Sequence, residues 1–421
     1  MEKQRSSSFS IFIIGSLFFI FGLVTWLNSV LMPFLQQTCE LTNFQASFVP
    51  FAFYIAYFFT SIPSSMILKK TGFSKGMMLG LLVMAIGTTI FIPAAFTRNF
   101  LLFLIGLFVQ GIGLSLLQTA SNPYVTILGP IESAARRMSI MGICNKIAGM
   151  LGILILASLL FSNISDFSKS INEITDIVTK EAALQELSNQ VIMPYCVMTV
   201  VLIALILFIK IAKLPEIIEE DDPNISLKNA KKSIFSYPYL WLGTLAIFFY
   251  VGAEVIAIDY LKIYGAHLGF DNNFTTLFPV FALIGLVVGY LVGIFTIPKI
   301  ISQRNALIIQ LILAMIFTTL AIFTSGIGSI IFIILLSFSH AIMWPAIWPL
   351  SIHDLGKHTK LGSAFLIMAI AGGAVIPLIF GKLSDVIDMK FAYSILFVSY
   401  LYILFFAVWG YKLKINYKNP V

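Results

Sequence analysis

The feature that most constrains this chain is a series of apolar runs, each long enough to cross a bilayer. A hydrocarbon core about 30 Å thick takes about 20 helical residues. Six such runs lie in the first part of the chain, at residues 11–31, 45–68, 77–95, 100–127, 139–161 and 192–211. Six more follow, at residues 237–264, 274–297, 306–323, 327–350, 362–381 and 391–411. The pattern predicts an all-α membrane protein with two six-helix halves, residues 1–212 and 237–421.

Two polar stretches interrupt the runs. Residues 213–236 carry mixed charges and two prolines, which is typical of a solvated linker, and we expect this linker in the cytoplasm. Residues 162–190 alternate apolar and charged side chains, which predicts a helix lying on the surface.

Composition excludes several classes of protein. With 59% hydrophobic and 11% charged residues in a chain of 421, twelve spans leave little room for a soluble catalytic domain, so we do not expect an enzyme. The basic residues stand singly or in pairs, which argues against a nucleic-acid partner. Three cysteines and four histidines show no metal-ligand spacing, and no nucleotide loop is present, so neither a metal nor a cofactor is predicted.

The basic residues also predict orientation. If the N-terminus is cytoplasmic, about 19 of the 26 Lys and Arg fall in cytoplasmic loops and termini, as the positive-inside rule requires. We therefore expect a multi-pass protein of the cell membrane with both termini in the cytoplasm. The lipid bilayer is its expected environment, and a monomer is the expected state.

A few polar side chains lie where their neighbours indicate hydrocarbon or packed protein. Gln118 and Asn122 belong to one apolar run, Asn145 and Lys146 to the next, and Glu254 to the first run of the second half. Polar groups are costly in hydrocarbon, so each is a candidate functional residue.

Several segments carry a family resemblance, among them TNFQA at residues 42–46, LQTASNPYV at 117–125, CNKIAG at 144–149 and YVGAEV at 250–255. With these segments the chain resembles, nearly end to end, the fucose permease and glucose/galactose transporter branch of the major facilitator superfamily. The resemblance implies a twelve-span facilitator fold whose halves are related by pseudo-two-fold symmetry. It also implies alternating access and movement of a hexose or 6-deoxyhexose across the inner membrane, coupled to protons or sodium ions.

Two departures from the family pattern bear on coupling. Where the family's first span has an aspartate in an LNDILxP motif, this chain reads LNSVLMP, with Ser29 in that place. The second departure lies at Gln118. The resemblance implies glutamate at this position in the fucose-type members and glutamine in the glucose/galactose-type members, so here the chain is more similar to the second group. The coupling that the resemblance implies is therefore open.

Sugars present hydroxyl rings and weakly apolar faces, so a sugar site needs amides and aromatic plates. Asn28, Gln118, Asn122 and Asn145 are the candidate amides, while Tyr250, Trp344 and Trp348 are the candidate plates. The alternative for Gln118 and Asn145 is a hydrogen bond that only joins helices. The alternative for Asn122 is a bond to the backbone carbonyl freed by Pro123.

Three charged residues are candidates for substrate binding, coupling or charge pairing. Glu254 lies mid-span and Asp259 about one and a half turns further on, where we expect it at the rim or paired with Lys262. Lys146 needs a counter-charge, for which Glu254 is the candidate. Three roles are open for Lys146. It replaces a bound coupling cation, it faces the water-filled vestibule without a coupling role, or it attracts an anionic substrate.

The sequence as a whole predicts a carrier for a neutral monosaccharide. The alternatives that it leaves open are an uncoupled facilitator, an exchanger for an anionic sugar derivative, and a sugar sensor that does not transport.

Overall fold

The computed structural model describes residues 2–127, 134–161, 176–212, 233–297, 299–353, 355 and 358–413. Residues 213–232, most of the expected linker, and residues 162–175 lie outside the described part. We call the described residues up to 212 the first half and those from 233 onward the second half.

Helices of the first half follow the apolar runs. Span 1 consists of Glu2–Trp26 and Asn28–Thr38, and a short helix, Asn43–Ala46, precedes span 2. Spans 2 and 3 form one helical stretch, Phe48–Thr97, which is broken at Gly72, where φ is 78°. Span 4 is Phe100–Ile127, span 5 is Ala134–Phe161 and span 6 is Ile192–Ala212.

The second half repeats the count. Span 7 is Pro238–Asp259, continued by Leu261–His267, and span 8 is Phe278–Thr296, preceded by the short helix Asn272–Thr275. Span 9 is Gln303–Phe323, and span 10 consists of Ile327–His340 and Met343–Ile352. Span 11 consists of Thr359–Met368, a 3-10 turn Ala369–Ala371 and Gly372–Val386. Span 12 is Ile395–Val408, with the short helix Met389–Ala392 before it. The 3-10 turns Ile234–Ser236 and Gly410–Lys412 bound this half.

The described part contains 11 helices that are long and apolar enough to cross a membrane. One of them runs for 55 residues, Asn43–Thr97, and holds spans 2 and 3 on either side of Gly72. Large apolar side chains such as Phe59, Leu101 and Val398 are more than half exposed on these helices. Such a surface is stable against lipid tails, so the chain is a multi-pass membrane protein with the twelve predicted spans.

A surface helix, Ile177–Asn189, precedes span 6, as the alternating pattern predicts. Asp176 caps its N-terminus by accepting a hydrogen bond from the Thr179 N–H. Arg98 after span 3 forms an ion pair with Glu181 at 2.6 Å, and the Gln185 amide donates to the Ala95 carbonyl. The helix is thereby fixed across the end of span 3.

Small residues let the spans approach closely. A Cβ atom at Gly372 of span 11 would lie 1.8 Å from the Phe248 carbonyl oxygen of span 7, and one at Gly22 of span 1 would lie 1.7 Å from the Asn145 carbonyl oxygen of span 5. Only glycine permits these two contacts, because backbone cannot move away as a flexible side chain would. The contact at Gly22 brings span 1 against the two polar residues of span 5.

At one end of the bundle the halves touch directly. The Phe44 N–H, in the short helix before span 2, donates to Asp385 Oδ2 of span 11 at 3.0 Å. The Lys382 ammonium lies 5.7 Å from the centre of the Phe44 ring, and a Cβ at Gly381 would meet Ser47 Oγ at 2.8 Å.

Candidate functional site

A cavity lies between the two halves and holds about 820 Å³ of non-protein space, its mouth included. Its walls come from spans 1, 2, 4 and 5 of the first half and spans 7, 8, 10 and 11 of the second. Both halves therefore contribute to one chamber, as the two-half pattern predicts for a carrier.

Its centre is an ion pair that joins the halves. The Lys146 ammonium of span 5 donates to Glu254 Oε1 of span 7 at 3.2 Å, and their side chains are 7% and 10% exposed. The sequence named Glu254 as the counter-charge, and the structure places the two groups in contact. Neither charge is left uncompensated in the protein interior, which would be costly.

Trp26 of span 1 packs against the Lys146 ammonium. The Lys146 nitrogen lies 3.9 Å from the centre of the indole ring, a cation–π contact. The indole N–H donates to Asn145 Oδ1 at 2.9 Å, and the Asn145 amide nitrogen donates to the Phe18 carbonyl at 3.3 Å. Asn145 thus orients Trp26, and Trp26 in turn orients Lys146.

Gln118 of span 4 also lines the cavity, and its amide nitrogen donates to the Tyr57 hydroxyl of span 2 at 3.1 Å. Within the described part of the chain its carbonyl oxygen has no hydrogen-bond partner, so it can accept a hydroxyl from a ligand. Asn122, one turn further along, also lines the cavity.

Aromatic side chains form much of the remaining surface. Tyr250 of span 7 contacts the Trp344 ring of span 10, with centroids 6.3 Å apart, and both line the cavity. Trp344 stacks in turn on Trp348, which is only 1% exposed and does not line the cavity. Trp348 is therefore not the binding plate that the sequence analysis considered; it is a buried support for Trp344.

Asp259 differs from the expectation. It is 0% exposed rather than at a rim, and within the described residues neither of its oxygens has a hydrogen-bond partner, so Lys262 does not pair with it. It is not among the cavity-lining residues. The expectation was wrong because the Asp259 side chain is fully buried in the protein interior, and span 7 continues past it as Leu261–His267.

Asn28 opens the second helix of span 1, Asn28–Thr38, and its side chain lies outside the described part. Its predicted contact with substrate stays a prediction. Across the described ranges no group of three or more His, Cys, Asp or Glu has the arrangement of a metal site.

Sequence reasoning missed six aromatic residues of the wall: Phe18, Phe21, Trp26, Tyr54, Tyr57 and Tyr290. Tyr54 and Tyr57 lie three residues apart on span 2, a spacing that puts them on one helix face. That spacing was the available signal. Aromatic residues in apolar spans are common, however, and only the neighbouring helices show which of them face a cavity.

The described helices, the cavity between halves and its buried ion pair are those of a membrane carrier. The chain matches the model of the Major Facilitator Superfamily over residues 14–364, and it belongs to that family. It is thus a membrane transporter and not an enzyme.

The chain is similar to curated members of the family over most of its length. It is 32% identical over 414 residues to a glucose/galactose transporter of Brucella abortus biovar 1 (strain 9-941), covering 98% of this chain and 96% of that one. It is 32% identical over 400 residues to an L-fucose-proton symporter of Escherichia coli (strain K12), covering 91% and 88%. The crystal structure of the Major Facilitator Superfamily transporter FucP in the outward conformation superposes with a TM-score of 0.76 at 29% identity, covering 96% and 99%.

Proposed function

We propose that this protein carries a neutral monosaccharide of the glucose, galactose or fucose type across the inner membrane by alternating access. The observation that carries the proposal is the make-up of the cavity. Its polar groups are amides, hydroxyls and one internally compensated ion pair, and much of its other surface is aromatic. The names of the similar proteins, a glucose/galactose transporter and an L-fucose-proton symporter, support this class of substrate.

Several of these polar groups can contact a sugar. The Gln118 carbonyl oxygen can accept a hydroxyl proton, and the second oxygen of Glu254 can do the same while the first stays with Lys146. Tyr250 and Trp344 offer ring faces to the C–H side of a pyranose. Asn145 already accepts from Trp26 and donates to the Phe18 carbonyl, which leaves one N–H of its amide for a ligand.

The ion pair favours a neutral substrate over a sugar acid or a sugar phosphate. An anionic substrate would be attracted by an uncompensated cation, but the charge of Lys146 is offset by Glu254 at 3.2 Å. Admitting an anion would leave the site with a net negative charge in a low-dielectric environment. A neutral sugar costs no such charge.

The same pair bears on coupling. The Lys146 ammonium bonds to Glu254, so the charge of Glu254 is already balanced within the site. Lys146 is thus a resident cation opposite the acid, and coupling to an ion has to be sought outside this pair.

The test is counterflow. Proteoliposomes loaded with unlabelled glucose, galactose or fucose are diluted into the labelled sugar, with an excess of gluconate or glucose 6-phosphate as competitor. We expect exchange of at least one neutral sugar and no competition by the anions. The matched variants are Gln118→Ala, which removes a proposed contact, and Gln310→Ala in span 9, which is away from the cavity; only the first should weaken exchange. Exchange of an anion alone would contradict the proposal, and saturable sugar binding without any exchange would indicate a sensor.

We also propose that both termini are cytoplasmic, which the distribution of Lys and Arg supports. A reporter enzyme active only outside the inner membrane, fused to the C-terminus, should be inactive. An active fusion would reverse the orientation.

A further inference from the structure

Asp259 is a second buried acid of span 7. Lys146 is bonded to Glu254, and Asp259 takes no part in that ion pair. It is the last residue of the helix Pro238–Asp259 and lies five residues beyond Glu254. Its side chain is 0% exposed, and among described residues neither carboxyl oxygen has a hydrogen-bond partner. An ionised carboxylate in such a place would be costly, whereas a neutral carboxyl costs far less.

The charged and titratable groups that face Asp259 come from four places. Glu254 lies on the same helix, and Lys146 of span 5 acts electrostatically on both acids. Tyr54 of span 2 and the adjacent Tyr260 also lie within electrostatic range. Tyr260 is already engaged, since its hydroxyl donates to the Pro377 carbonyl at 3.1 Å. Lys262, further along the chain, donates no hydrogen bond to either oxygen of Asp259.

Among the groups that act electrostatically on Asp259, one ammonium, that of Lys146, therefore faces two carboxyl groups. Lys146 is bonded to Glu254 and balances it. A single proton on Asp259 then makes these three groups neutral, while its loss leaves one buried negative charge.

We propose that Asp259 is a proton-binding site and that the proton it holds is the ion that moves with the sugar. The proposal rests on the proposed sugar transport, to which it adds the coupling ion and its residue. The step is a simple protonation: an O–H bond forms on the carboxylate when a proton enters from water on one side, and it breaks when the proton leaves to water on the other.

A proton fits this site better than a metal cation. Hard cations need several oxygen ligands around them. Glu254 is already engaged by Lys146, and the described ranges offer no group of three acidic or histidine ligands.

In this proposal, the electrostatic attraction of Lys146 to both acids connects the proton to the sugar. When Asp259 loses its proton, its negative charge attracts the Lys146 ammonium in competition with Glu254. A movement of the ammonium toward Asp259 weakens its bond to Glu254, which faces the cavity. Protonation of a residue outside the cavity thereby changes the acid that faces the substrate.

The first test needs no substrate. Infrared spectra of the purified protein at neutral pH should show the carbonyl band of a protonated, buried carboxyl group. We expect Asp259→Asn to remove this band. Glu254→Gln and Asp271→Asn, which changes an exposed acid of the same half, should retain it. A wild-type spectrum without the band, or loss of the band in Glu254→Gln instead, would overturn the proposal.

The second test measures coupling. With an inward gradient of about two pH units, one proton per sugar can sustain accumulation of up to about a hundredfold. We expect accumulation and sugar-dependent alkalinisation of the medium in the wild type and in Asp271→Asn. Asp259→Asn should reach only equilibrium, with no alkalinisation, while counterflow stays measurable.

The outcomes separate the two proposals. Counterflow without proton movement in the wild type, or full accumulation by Asp259→Asn, would overturn the proton site and leave sugar transport standing. The absence of sugar counterflow would overturn the proposed function, and the infrared band would still report directly on Asp259.

Discussion

Span 7 presents two buried acids in opposite situations. Glu254 faces the cavity and pairs with the Lys146 ammonium at 3.2 Å. That ammonium in turn lies against the Trp26 ring. Asp259, about one and a half turns away, does not line that cavity and has no hydrogen-bond partner among the described residues. The two acids have the same chemistry, and only the neighbouring helices distinguish them. The comparison teaches that a buried charge in a membrane protein has to be read from its partners and not from its residue type.

The largest effect should come from separating the ion pair. Glu254→Gln leaves the Lys146 ammonium buried without a counter-charge, and we expect a loss of about 3–5 kcal/mol in the free energy of unfolding. Unfolding in SDS titrations, followed by tryptophan fluorescence, measures it. Asp271→Asn, which changes an exposed carboxylate, is the control. A loss below about 1 kcal/mol would mean that the pair contributes no more than a surface ion pair.

Removing both partners should cost less than removing one. In Lys146→Met/Glu254→Gln no buried charge remains, so we expect a loss of about 1–2 kcal/mol, which reflects packing and lost hydrogen bonds alone. The double-mutant cycle with the two single variants gives the coupling energy. Additive single effects would show that the two groups do not interact in the membrane.

The support beneath the ammonium should be worth less again. Trp26→Phe keeps an aromatic face under Lys146 but removes the indole N–H, which leaves Asn145 Oδ1 without its donor. We expect a loss of about 1 kcal/mol together with weaker sugar exchange. Trp409→Phe, at an exposed site near the C-terminal end of span 12, is the matched control. Equal behaviour of the two variants would remove Trp26 from the account.

The smallest effect is expected at the acid without a partner. If Asp259 is neutral in the folded protein, Asp259→Asn is nearly isosteric and keeps the charge unchanged, so stability at neutral pH should change by less than about 1 kcal/mol. The same SDS titration measures it. A loss comparable to that of Glu254→Gln would show that Asp259 is ionised and paired.

The fold was accessible from sequence because span length and polarity are local properties. Twelve runs were found, although the structure joins spans 2 and 3 in one helical stretch broken at Gly72. The site was accessible in part. Lys146, Glu254 and Gln118 are polar residues in apolar surroundings and were recognised for that reason, and all three line the cavity.

The rest of the site depends on contacts between distant spans. Trp26 and Lys146 are 120 positions apart in the chain, and no periodicity links them. Trp344 and Trp348 are four residues apart on one helix. The sequence does not show whether both rings face a cavity or whether one ring packs behind the other, and Trp348 packs behind Trp344. Asp259 was misplaced because the pattern of residues does not show which side of span 7 the other helices enclose.

The most direct test of the whole account is uptake of radiolabelled glucose, galactose and fucose into proteoliposomes, with inward proton and sodium gradients imposed separately. We predict that at least one neutral sugar enters and that it accumulates above equilibrium with the proton gradient but not with the sodium gradient. Entry of none of these sugars, under any gradient, would contradict the assignment of the cavity to a neutral monosaccharide.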